Sequence, residues 1–246
     1  MTVLTEDPLI SAMAIREELP LHESARRLRA FYPECPRVYG VAVMGDVSRR
    51  RWWPLAEALT DGRLAQMYAD AAAEIDNPTA AAQQLAASLA HAVIGRVVAL
   101  VVSEGRAWDA GLENLWVHVD SDGAIDWLGV VDPTVRVLPD DPDTGRAGAV
   151  ELPSEPALAT WIAHRCHRTL EPLFAELCRV SGAAVSVPAM WRIVGTAVVV
   201  AATQVPLLAG VSENAGMRRG QCVLDALVGF GLPVRGRAPM KVALAS

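Results

Sequence analysis

Glu113–Pro133 reads ENLWVHVDSDGAIDWLGVVDP, and this stretch decides the fold class. Leu115, Val117 and Val119 alternate with Asn114, Trp116 and His118, the two-residue period of a strand with one apolar face. Asp120-Ser121-Asp122-Gly123 supplies turn chemistry, and Ile125–Val131 returns as the partner strand. A β-hairpin is therefore expected in the middle of the chain. On either side the period changes to helical. Upstream, Ala25, Leu28 and Phe31 recur at helical spacing in Glu23–Tyr32. A short strand is expected over Arg37–Met44, and a second helical zone over Trp53–Ala73. Asn77-Pro78 offers a cap and a first-turn proline for a long helix, Thr79–Val102, closed by Ser103-Glu104-Gly105. Downstream come a proline- and aspartate-rich loop (LPDDPDTGRAG), a helix over Ala157–Val180 kinked or broken at Pro172, and an apolar helix opened by Val187-Pro188. No internal repeat is visible. The expected architecture is α+β: mostly helical, with a small antiparallel β-sheet built on the central hairpin.

The chain has 246 residues and is 52% hydrophobic, enough for a sizeable core. One domain is expected, with a helical part over about 1–105, the hairpin and loop over 106–150, and a second helical part over 151–246. The net charge of −6 and the shortness of Ser48-Arg49-Arg50-Arg51 and Arg218-Arg219 argue against a nucleic-acid partner; the first cluster reads as a solvated face. The N-terminal segment has no positive region before an apolar one, so it is not read as a signal peptide. Cys35, Cys166, Cys178 and Cys222 are irregularly spaced without a CxxC, which fits reduced thiols in a cytoplasm. Ile193–Gly210 is uncharged and near the length of a membrane span. Arg192, Thr196 and Thr203 share one helical stripe, so the segment reads as a buried core helix with a polar seam, and no span is expected.

Several clusters could carry chemistry. His164, His167 and Glu171 could face one another on a helix and hold a metal, or simply line its solvent face; no metal is expected. Asn114, Trp116 and His118 could floor a small-molecule pocket or pack as ordinary sheet residues. His91 and Arg192 lie on polar seams that satisfy interior groups or line a cavity. Asp109, Glu113, Asp126 and Asp132 flank the hairpin, as acid–base carboxylates or as turn caps. Signatures of phosphate-binding loops, dinucleotide sites, nucleophile elbows and kinases are absent.

LENLWVHVDSDG with VDPTVRVLPDDP, and EPLFAELCRVSGAAVSVPAMWRIVGTAVV with Trp191, resemble the central hairpin and later helix pair of the ferric siderophore reductase, or FhuF-like, family. That family ends in an arginine pair, a spacer, two adjacent cysteines and then a C-x-x-C pair, whose four thiolates hold a [2Fe–2S] cluster. Here Met217–Arg237 reads MRRGQCVLDALVGFGLPVRGR. Arg218-Arg219 and Gly220 fit that register, but the ligand positions fall on Gln221, Cys222, Pro233 and Gly236. The resemblance thus implies the fold and a pocket without the cluster, and no cofactor is expected. What it leaves is a non-redox tailoring enzyme of cyclase or isomerase type in secondary metabolism, acting on a small organic molecule. In that reading His118 or His91 carries the proton and Arg192 or Arg218 steadies an oxyanion. Trp116, Asn114 and Trp191 contact the substrate, and the tail serves as lid or remnant. The alternative is a protein that binds a ferric siderophore, or partners a reductase, without moving electrons.

Overall fold

Asn77 starts the helix around which the other elements gather. Its side chain accepts the Ala80 N–H at 3.0 Å, and Pro78 follows with no N–H to lose. The computed structural model describes residues 18–121 and 123–235. In it this helix runs as α3 (Pro78–Ala90), a π-helical turn (His91–Gly95) and α4 (Arg96–Glu104). It stops where Gly105 turns left-handed at φ +70°. Leu89, Val93, Val97 and Leu100 are almost wholly removed from water, each worth about 1.5–3 kcal/mol by transfer.

Three further helices enclose it. These are α5 (Glu155–Val180), α6 (Val187–Ala209) and α7 (Glu213–Gly229), which follow α1 (Pro20–Ala30) and α2 (Arg63–Ile75) in the chain. Ser154, Ser186 and Ser212 cap α5, α6 and α7 with side-chain oxygens. Of the kink or break expected at Pro172, the break does not occur: the helix runs through it. Helices α6 and α7 approach closely because Gly216 and Gly220, four apart on one face, carry no Cβ. A methyl at Gly220 would lie 2.4 Å from the Ala202 Cβ, and one at Gly216 would lie 2.3 Å from Pro206 Cγ.

The hairpin forms as expected, β4 (Leu115–Val119) against β5 (Ile125–Val130). It sits inside a four-stranded sheet ordered β1-β5-β4-β2, with β1 over Val41–Val43 and β2 over Trp52–Pro54. β1 runs parallel to β5, so the sheet is mixed, where an antiparallel one was expected. A second sheet, β3 (Ala107–Trp108), β6 (Val135–Val137) and β7 (Ala149–Glu151), is also mixed: β6 and β7 are parallel. The expected helical zone Trp53–Ala73 resolves into β2, a 3₁₀ turn (Leu55–Leu59) and α2, because Trp53 pairs with Val117. The inner face of the first sheet (Val41, Val43, Trp53, Leu115, Val117, Leu128, Val130) joins the main core. Its outer face builds a smaller cluster from Ala42, Met44, Trp52 and Trp127, with Val47 and Trp116 packed against it.

Among the described residues, two helices are long and apolar enough to cross a membrane. In Pro78–Glu104 the most apolar window is 83% buried inside the protein, and in Val187–Ala209 it is 39% buried. The latter corrects the expectation of a buried helix. Its polar stripe, Arg192, Thr196 and Thr203, lies on the open side together with Val199, Val200, Leu207 and Leu208.

Candidate active site around His118

His118 stands on the outer face of the sheet, opposite Trp127 on β5 and Trp52 on β2. The pairing of β4 with β5 slips by one residue between His118 and Val119. The imidazole is 4% exposed, and its Nδ1–H donates to Asp126 Oδ1 at 2.7 Å. Arg37 pairs with the other oxygen of the same carboxylate. The Trp52 ring lies against the imidazole, centroids 5.5 Å apart. A carboxylate on Nδ1 fixes the tautomer and leaves Nε2 as the nitrogen able to take or give a proton.

This group is held from behind by the long helix. Arg96, fully buried, donates Nη1–H to Gly40 O at 2.7 Å and Nη2–H to Asp126 O at 2.8 Å. Burial pushes its guanidinium down to about 10, and the Asp126 carboxylate opposes that shift. The π-helical turn widens the helix just before Arg96 and sets His91 in the same region, where Nε2–H donates to Val38 O at 2.6 Å.

His118 lines a cavity of about 480 Å³ together with Arg37, Ser48, Arg50, Arg51, Asp120 and Ser121, a size suited to a small molecule. Arg50 and Arg51 are exposed, and no carboxylate pairs with either among the described residues. Two other cavities are larger but chemically quieter. In one, of about 550 Å³, the charged groups satisfy one another: Arg106 binds Asp141 at 2.7 Å and Asp143 at 3.0 Å, and Arg27 binds Glu104 at 2.6 Å. The other, of about 590 Å³ beside Trp161 and Phe230, has His164 as the titratable side chain in its lining.

The structure gathers part of the expected set and disperses the rest. His118 and Trp116 share the outer sheet face, with the Arg49 guanidinium 4.9 Å above the Trp116 ring. Asn114 braces the backbone: its Oδ1 accepts from Asp132 N at 2.6 Å and its Nδ2 donates to Asp109 O at 2.8 Å. His91 is no proton carrier near neutrality, because burial, with Arg96 beside it, pushes it down to about 4. Arg192 is exposed on the far side of α6, away from any seam. Trp191 is core: it packs on Phe174 and donates Nε1–H to Glu171 Oε2 at 2.9 Å. Arg218 is no lid. Its guanidinium grips Glu155 at the start of α5 at 2.9 and 3.0 Å, and Arg219 joins it at 2.9 Å.

The cluster chemistry of the resembled family does not fit these residues. Gln221 and Cys222 lie within α7, and Pro233 has no donor side chain; Gly236 lies outside the described residues. Burial, with Glu155 and Asp225 nearby, pushes the Cys222 thiol up, away from the thiolate a metal needs. Among the described residues no three His, Cys, Asp or Glu side chains gather to hold a metal ion, the His164, His167 and Glu171 set included. Rings occupy that set instead: Phe230 lies near both imidazoles, and Glu171 is taken by Trp191.

The sequence reading missed Arg37, Arg50, Arg51, Arg96 and Trp52. One of these carried a signal: Arg96 is the single charge in the apolar run HAVIGRVVALVV. Comparison with family models, curated proteins and solved structures returns no match.

Proposed function

We propose that this chain is a non-redox acid–base enzyme, of the cyclase or isomerase type, that moves a proton on a small organic molecule held against His118. The observation that carries the reading is the pairing of His118 Nδ1 with Asp126 Oδ1 at 2.7 Å on the floor of the cavity. Asp126 orients the imidazole, Arg37 pairs with the Asp126 carboxylate, and Arg96 holds the Asp126 main-chain carbonyl. Nε2 then acts as base and returns the proton as acid. The sheet face supplies rigidity, and the Trp52 ring limits water on one side of the imidazole. The FhuF-like resemblance belongs to the same proposal. In its support, the segments that carry it are a hairpin and a helix pair.

The test is solvent-deuterium exchange. Purified protein is incubated with a mixed small-metabolite extract in D₂O, and deuterium incorporation or isomer formation is followed by mass spectrometry. The native protein should label or convert a discrete species, and His118→Gln and Asp126→Asn should not. Equal conversion by His118→Gln would remove the reading. If nothing turns over, while a ferric hydroxamate saturably quenches the fluorescence of the seven tryptophans, the siderophore-binding alternative replaces it.

A further inference from the structure

Arg50 and Arg51, which line the His118 cavity, have no ion-pair or ring partner among the described residues. Several other guanidiniums of this fold are committed. Arg106 is buried among Asp141 and Asp143, Arg165 spans Asp109 and Glu113, Arg218 and Arg219 share Glu155, and Arg96 holds two carbonyls. Arg49, next in sequence, lies over Trp116. Arg50 and Arg51 alone in that run have neither a carboxylate nor a ring, and both line the cavity. Arg51 holds a left-handed backbone, φ +68°, immediately before β2 begins at Trp52. For a residue with a Cβ that conformation is uncommon, and it tends to survive where the surroundings or a ligand require it.

The same wall carries hydroxyl groups, Ser48 and Ser121. Two guanidiniums beside two hydroxyls match the terminal oxygens of a tetrahedral oxyanion better than a planar carboxylate, which one guanidinium fork can satisfy. Asp120, also in the lining, accepts the Ala124 N–H at Oδ1, 2.9 Å away. The third guanidinium, Arg37, is tied to Asp126 and so links the anion end of the cavity to the His118 end.

We infer that Arg50 and Arg51 form a subsite for the phosphoryl group of the small molecule whose reacting carbon sits at His118 Nε2. This rests on the acid–base reading of His118, and it narrows the substrate class to phosphorylated metabolites. The charged group anchors one end, which leaves the imidazole free to work on the other, and binding energy gained at the anchor positions the reacting end.

Inorganic phosphate is the probe, added to the full chain labelled with ¹³C and ¹⁵N in its histidines. The His118 ring signals, assigned through His118→Gln, should shift saturably as phosphate is added. Acetate at matched ionic strength should bind more weakly by about tenfold or more. Arg50→Gln/Arg51→Gln should weaken phosphate binding by at least a similar factor, and Arg49→Gln should leave it in place. Unchanged melting curves would show that the variants fold. No saturable shift, a shift undiminished in the double variant, or acetate equal to phosphate would each overturn the subsite. The measurement needs no turnover, so the two readings fail separately. Phosphate held by Arg50 and Arg51 without any exchange chemistry would leave an anion site and remove the enzyme. Exchange that depends on His118, without phosphate binding, would do the reverse.

Discussion

His91 gives the sharpest quantitative prediction, because its environment favours one protonation state. The ring donates to Val38 O and lies edge-on to Tyr39, centroids 5.9 Å apart. Burial, with Arg96 next on the helix, lowers its pKa from 6.5 to about 4, and the bond to Val38 opposes the fall. The folded value lies below the unfolded one. As pH drops, the unfolded chain takes up the proton first, so the stabilisation is whole above pH 6.5 and is lost progressively down to about 4. At about 1.4 kcal/mol per pH unit, the loss comes to about 2 kcal/mol by pH 5 and about 3 kcal/mol by pH 4. The assay is urea denaturation of the native protein and of His91→Gln across that range. Glutamine keeps an N–H for Val38 and does not titrate. The native curve should fall more steeply, and the gap between the two should narrow by about 2 kcal/mol between pH 7 and 5. Parallel curves would refute the assignment of a buried neutral imidazole.

Two further outcomes follow from geometry at the other end of the molecule. Arg218, then Arg219, hold the Glu155 carboxyl down at about 2. Its contribution is therefore present above the usual carboxylate range and lost as pH falls towards 2. Because Arg218 is open to solvent, Glu155→Gln should cost about 1 kcal/mol at neutral pH, and the difference should vanish in strong acid; a difference independent of pH would contradict this. Gly195→Ala should cost about 2–3 kcal/mol, since its methyl would fall 1.9 Å from Val234 O and would push Leu232 and Val234 out of their buried positions. An unchanged melting temperature would mean that the segment does not seat there.

How much of this was legible depends on the range of the interactions. The hairpin was, because alternation and turn chemistry are local, and so was the start of α3, because Asn77 and Pro78 act within one turn. β2 was not: its three residues form a strand only because β4 offers an edge, and nothing in RWWPLAEAL says so. The parallel pairing of β1 with β5 is equally non-local. In α6 the stripe through Arg192, Thr196 and Thr203 was located correctly but assigned to the wrong side. The helix is apolar almost all round, and its buried face is chosen by α4 and α7, not by its own pattern. In the candidate site His118 could be named from its place on the strand. Asp126 could be named only as one of four carboxylates, and the two arginines only as a charged run.

Arg96 explains why the site depends on an element that lines none of its cavity. A guanidinium in the middle of a core helix costs desolvation, and here the return is two carbonyl bonds, to Gly40 before β1 and to Asp126 in β5. Those bonds fix the two adjacent strands relative to the helix at the point where Asp126 meets His118. A straight α-helix would carry Arg96 round by about 100° per residue, whereas the π-helical turn at His91–Gly95 inserts the extra residue that alters this phase. The same turn brings His91 against Val38, so Val38 and Gly40 are both held by the helix. Leucine at this position would leave the Gly40 and Asp126 carbonyls without these donors. The effect is to fix the strand that carries Asp126 beside His118, which is what the proposed proton transfer requires of its surroundings.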